Sequence, residues 1–168
     1  TEPEYLLGIN AVKLLTDMGL GTTLDREGME LFEMTAFDEK GYDVASCDLR
    51  YIESQSGYKT YGVHRESLSN MLLDNDQNIK TGKKVIAVQN YKHAVQVSFE
   101  DGSVEIYDLV IGADGANSDV RASLFGDIDF RDAKQGCWRF TAKTPDGFNK
   151  QGIFEYFGVG KRAGYMPL

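Results

Sequence analysis

The sequence predicts an α+β chain, with one portion of helices and a buried parallel strand and a second portion built as an antiparallel sheet. Three observations carry this expectation. Apolar residues recur at helical spacing in GINAVKLLTDMGL, residues 8–20. A continuous apolar run, Leu109, Val110 and Ile111, leads into Gly-Ala-Asp-Gly. The last third of the chain consists of short aromatic-rich segments, with glycine between the later two.

In the first helix, Ile9, Val12 and Leu15, and likewise Ala11, Leu14 and Met18, recur at helical spacings, and Gly19 followed by Leu20 reads as a glycine C-cap with its hydrophobic partner. Phe32, Met34 and Ala36 then alternate with more polar neighbours, Asp38 to Gly41 supplies turn chemistry, and residues 42–49 return as a second strand. Residues 51–60 are polar and read as a loop. HRESLSNMLLD is a helix with Leu68, Met71 and Leu72 on one side. Val95, Val97 and Phe99 alternate with Gln96 and Ser98, and Asp101-Gly102 closes a hairpin that Val104 and Ile106 continue. Residues 109–111 lack alternation, as expected of a parallel strand covered on both faces. Ser118 is placed to cap a short helix, DVRASLF, which Gly126 ends. CWRFTAK, GIFEYFG and RAGYMPL read as strands of a sheet with one apolar face.

Composition narrows the function classes. The 168 residues carry a net charge of -8, which argues against nucleic acid or an anionic membrane as the main partner. No apolar stretch approaches the roughly 20 residues of a membrane helix. The opening TEPEYLLGIN has neither the basic start nor the apolar core of a signal peptide. Two distant cysteines, Cys47 and Cys137, make no disulfide framework, so a reducing, cytoplasmic setting is expected.

Several motifs fail in context. Gly158-x-Gly160-x-x-Ala163 matches a dinucleotide fingerprint literally, but Tyr165, Met166 and Pro167 follow where a helix is needed, so it reads as a strand connection. Asp74, Asp76 and Asn78 begin like a calcium loop, yet Ile79 replaces the required glycine and Val85 the bidentate acid. His64 and His93 form no metal-ligand pattern with the cysteines, and no serine sits in a nucleophile elbow. No metal is expected. The surviving pattern is Gly112-Ala113-Asp114-Gly115. It is either an ordinary strand-to-helix turn or a backbone shaped to lie against a phosphate, with glycines allowing close approach and a helix N-terminus offering N–H groups.

DLVIGADGANSDVR, residues 108–121, resembles the internal Asp-Gly motif of the FAD-dependent aromatic hydroxylases, the group A flavoprotein monooxygenases with the p-hydroxybenzoate hydroxylase fold. Other segments are similar in the family's order: GINAVKLLTDMGL to the helix after the first nucleotide-binding unit, YGVHRESLSNMLL to the Arg-x-x-Leu helix, VSFEDGSVEIYDLVIGADG to the hairpin before the motif, and CWRF with FEYFGVGKRAGYMPL to strands of the substrate-domain sheet. The family's opening GxGxxG unit and its later Gly-Asp motif are absent, so the chain is expected to be an internal portion, truncated at both ends. The resemblance implies a partial FAD-binding domain in residues 1–28 and 50–136 and a partial substrate-binding antiparallel sheet in 29–49 and 137–168.

What the resemblance implies for function is hydroxylation of an aromatic or similar small molecule, with NADH or NADPH as co-substrate, O2 as oxidant and a flavin C4a-hydroperoxide as the hydroxylating species. The cofactor carries that chemistry, so no acid, base or nucleophile of this chain need be essential. Alternatives are a flavin-dependent reductase of the same superfamily or a non-catalytic ligand- or partner-binding module. A halogenase is excluded within this chain, because the single tryptophan, Trp138, leaves no Trp-x-Trp-x-Ile-Pro stretch.

The resemblance also implies site residues. Arg65 contacts FAD near its pyrophosphate, or is a surface arginine capped by Glu66 or Asp114. Gly112 and Gly115 allow close approach. A carboxylate does not belong against a phosphate, so Asp114 accepts loop hydrogen bonds or pairs with an arginine, unless it is a simple turn residue. Arg121 pairs with Asp114 or a phosphate, or is a solvated helix residue. Trp138, Phe140, Phe154, Tyr156 and Tyr165 either line a pocket for a flat apolar substrate or pack as core.

Overall fold

A computed structural model describes residues 4–75, 78–126, 128–148 and 150–168. Residues 1–3 of the expected cofactor portion and Asp76 of the rejected calcium pattern lie outside the described residues. The chain divides into two compact units, Thr1–Gln77 with Trp138–Leu168, and Asn78–Cys137.

In the first unit, β1 (Glu4–Leu7), β5 (Tyr61–His64) and β2 (Met29–Glu30) form an antiparallel sheet in the order β1-β5-β2. Against it pack α1 (Ile9–Asp17), α2 (Gly21–Glu27) and α4 (Arg65–Asn75), burying Leu7, Val12, Leu15, Leu20, Leu24, Tyr61, Val63 and Met71 in one cluster. The helix end at Gly19 is as expected. Gly19 adopts a left-handed φ of 83°, Leu20 N–H donates to the Leu15 carbonyl at 2.8 Å, and Gly19 N–H donates to Thr16 at 2.9 Å. This pair of bonds satisfies the orphan carbonyls and puts Leu20 in the core.

A second sheet of the same unit has the order β10-β9-β3-β4, with β3 at Glu33–Asp38, β4 at Asp43–Asp48, β9 at Gly152–Gly158 and β10 at Lys161–Tyr165. Its hairpins are antiparallel, but β3 and β9 pair in parallel, so the sheet is mixed. The face of β3 is also out of phase with the sequence pattern. Thr35 is buried and Phe37 stacks on Tyr156, while Met34 is exposed. The partner strand β9 decides this, since Thr35 and Phe37 stand beside Phe154 and Tyr156 in the register. The dinucleotide-like Gly158-to-Ala163 stretch is the β9–β10 turn, as its context predicts.

Two expectations for this unit are overturned. Residues 51–60 are not a loop throughout, since α3 spans Leu49–Ser56. Asp48 caps it by accepting from Arg50 N–H at 3.0 Å, and Gly57 closes it at φ 77°. The N-cap Asp48 sits outside the polar stretch that reads as loop, and α3 buries no residue, so no buried apolar face marks it. CWRFTAK forms no strand, and Trp138 and Phe140 are 94% and 71% exposed. Strand propensity there is not matched by any pairing among the described residues. No described helix is long and apolar enough to cross a membrane.

The second unit is a meander, β6 (Val85–Tyr91), β7 (Ala94–Phe99) and β8 (Val104–Tyr107), with α5 (Asp119–Phe125) packed on β6. Asp101-Gly102 closes the β7–β8 hairpin, with Gly102 at φ 81°. Residues 109–111 are not a strand, and Leu109 and Ile111 are 73% and 81% exposed. A parallel strand exists only where another strand pairs with it, and no described strand hydrogen-bonds to this run.

Candidate functional site

The stretch from Gly112 to Arg121 folds around its own carboxylate. Asp114 Oδ1 accepts from the Ser118 hydroxyl, and Oδ2 accepts from Val120 N–H at 3.1 Å. Ser118 Oγ in turn accepts from Arg121 N–H at 2.9 Å and caps α5. The Ser118 hydroxyl and the Val120 amide hold the Asp114 carboxyl below the usual carboxylate range. Of the two roles open to Asp114, loop acceptor or arginine partner, it takes the first.

The same bonds use the donors a phosphate would need. Val120 and Arg121 N–H bind the two side chains, and Ala122 N–H donates to the Ser118 carbonyl. Gly112 is close to protein, since a Cβ there would sit 2.9 Å from Val120 Cγ1. Gly115 stands at φ 85° with open space where its Cβ would be, so it is the glycine a flat ligand can approach. Arg121 does not pair with Asp114. It donates to the Ala116 carbonyl at 2.5 Å and lies over the Phe130 ring at 5.8 Å.

Arg65 belongs to the first unit. It is the first residue of α4, directly after β5, and its side chain is exposed. Among the described residues no hydrogen bond or ion pair holds it, so Glu66 does not neutralise it. An unpaired guanidinium at a helix start is suited to bidentate phosphate binding.

The aromatic group divides. Phe154 is 1% exposed and is core. Tyr156 and Tyr165 are 6.4 Å apart, and Phe154 and Tyr165 are 5.2 Å apart, on one side of the mixed sheet. Burial and the Tyr156 hydroxyl push the Tyr165 phenol above its ordinary value. Among the described residues, Phe140 makes no ring contact with this cluster, and Trp138 is exposed. Sequence reasoning missed two members: Phe37, stacked on Tyr156 at 4.8 Å, and Phe148, edge-on to Tyr165 at 5.6 Å. Phe37 was hidden by the phase of β3, and Phe148 lies in a turn with no periodic signal. No group of acids, histidines and cysteines among the described residues could hold a metal ion.

No family model matches the sequence. Individual relatives do. The chain is 26% identical over 161 residues to aurachin C monooxygenase/isomerase of Stigmatella aurantiaca, a match covering 95% of this chain and 42% of that protein. It is 28% identical over 166 residues to the FAD-dependent urate hydroxylase of Mycolicibacterium vanbaalenii, again 95% of this chain and 42% of the relative. The chain therefore spans about two fifths of the length of these relatives. In fold it matches Klebsiella pneumoniae HpxO, solved with FAD and uric acid, at a TM-score of 0.77 and 24% identity, over 99% of this chain and 44% of that one. The mixed α/β architecture is thus shared with HpxO over nearly the whole chain.

Proposed function

We propose that this chain, a relative of the FAD-dependent monooxygenases of the aromatic hydroxylase family, is a portion of such an enzyme and takes part in hydroxylating an aromatic or similar small molecule with NADH or NADPH and O2. The observation that carries this reading is the end-to-end match in both sequence and fold, over 95% and 99% of the chain. FAD supplies the electron transfer and oxygen activation when bound.

The donor set supports FAD at two places. Arg65, unpaired and exposed, takes a phosphate of the cofactor. The Gly112–Asp114–Gly115 bend, stiffened by Asp114, Ser118 and Val120, contributes a preshaped backbone wall through its open Gly115 side. The first amides of α5 are already used, so the bend orients the cofactor rather than binding its phosphate. Arg121 holds the loop through Ala116.

In this reading residues 1–28 and 50–136 serve the cofactor, and 29–49 with 137–168 serve the substrate. That division by ligand cuts across the two compact units, because α1, α2 and α4 pack in the first of them. Tyr156 and Tyr165 present aromatic surface to a planar substrate, and the buried Phe154 fixes their position. Trp138 and Phe140, exposed and two positions apart in sequence, contribute further apolar surface on the substrate side. A reducing cytoplasm suits a chain with two distant cysteines.

The test is an assay of the natural protein with FAD, a nicotinamide cofactor, heavy-isotope O2 and a panel of phenols, quinolones and purines. The expected result is a product carrying one labelled oxygen atom, dependent on all three additions. Nicotinamide oxidation without a labelled product across the panel would favour a reductase.

A further inference from the structure

We propose that Glu4 binds ligand: its carboxylate accepts a hydrogen bond from a hydroxyl of a polyol phosphate, the ribityl–pyrophosphate portion of FAD, whose phosphate Arg65 takes. This deepens the proposed function and rests on it. Glu4 Oε2 is buried and has no hydrogen-bond partner, the one such side-chain atom found among the described residues. A carboxylate oxygen removed from water without a donor is costly, and proteins rarely retain one without a use.

Its position narrows the use. Glu4 opens β1, an edge strand, and stands directly across from His64 in the antiparallel register. Side chains alternate along the pair, so Leu7, Tyr61 and Val63 point to the hydrophobic core while Glu4, Leu6, Gly62 and His64 share the opposite face. The residue after His64 is Arg65. One end of this sheet therefore holds an unsatisfied acceptor on one strand and, just beyond its cross-strand partner, an unpaired cation. A phosphate alone would be repelled by the carboxylate, and a hydroxyl alone would leave the guanidinium idle. A ligand with hydroxyls next to a phosphate satisfies both.

The account separates ligand binding from folding. If the Glu4 carboxylate awaits a ligand, removing it relieves an unsatisfied buried group in the ligand-free protein and weakens the complex. In the natural protein, Glu4→Ala is expected to leave the melting temperature of the FAD-free form unchanged or higher, and to weaken FAD by about tenfold or more, as loss of a charge-assisted hydrogen bond does. Glu4→Gln, which keeps one acceptor oxygen without the charge, should fall between. The readouts are thermal melts without FAD and FAD dissociation constants from flavin fluorescence. A lower melting temperature of the FAD-free Glu4→Ala protein, or an unchanged dissociation constant, overturns the assignment. Unchanged FAD binding in the variant removes Glu4 alone, whereas failure of the natural protein to bind FAD removes the flavin reading and Glu4 with it.

Discussion

Asp114 shows how one side chain can define a loop without touching a ligand. Its two oxygens are divided between the Ser118 hydroxyl and the Val120 amide, so the carboxylate joins the glycine bend to the start of α5. These bonds favour the charged form and lower its folded pKa. The sign of the linkage follows: the stabilisation is full above the ordinary carboxylate value and is lost as pH falls through the lowered folded value. Urea midpoints of the natural protein should therefore fall across that acid window. Asp114→Asn should be less stable than the natural protein at neutral pH, and the gap should narrow as the pH drops. Parallel curves would show that the carboxylate charge contributes nothing to holding the bend. The role of Asp114 as an acceptor was legible in the sequence because Ser and Asp at this spacing before a helix have few other uses. The choice of Arg121's partner was not, since a guanidinium reaches a carboxylate or a carbonyl equally well.

At the scale of elements, what could be read was what is locally determined. The Gly19 cap, the Asp101-Gly102 hairpin and the Ser118-capped α5 each depend on residues within a few positions of one another, and each formed as expected. Elements that depend on distant partners were misread: the phase of β3 is set by β9, more than 100 residues later in the chain. Residues 109–111 have the composition of a parallel strand without a neighbour to pair with. The packing of the bend on α5 can be tested directly. A Cβ at Gly112 would meet the Cγ1 of Val120, a β-branched helical residue with little rotamer freedom to yield. Gly112→Ala should cost about 1–3 kcal/mol through overpacking. Val120→Ala should also destabilise, by removing a buried side chain. The double variant should be less damaged than the sum of the two, by about 0.5–3 kcal/mol, because the smaller side chain makes room. Strict additivity in chemical denaturation would place the two residues out of contact.

At the scale of the molecule, the chain presents an unpaired arginine, a stiffened glycine bend and an aromatic sheet face, and the proposed flavin reading uses all three. The family resemblance was legible because five segments occur in one order, and the fold match over 99% of the chain agrees with it. The most direct test of the central claim, that this chain grips a flavin dinucleotide, is the visible absorption spectrum of the natural protein after equilibration with FAD and removal of the excess, recorded anaerobically before and after NADPH or NADH. The account predicts a protein-bound flavin spectrum that bleaches on reduction and fades from the Arg65→Ala variant at equal protein concentration. A colourless natural protein that retains no added FAD would contradict it.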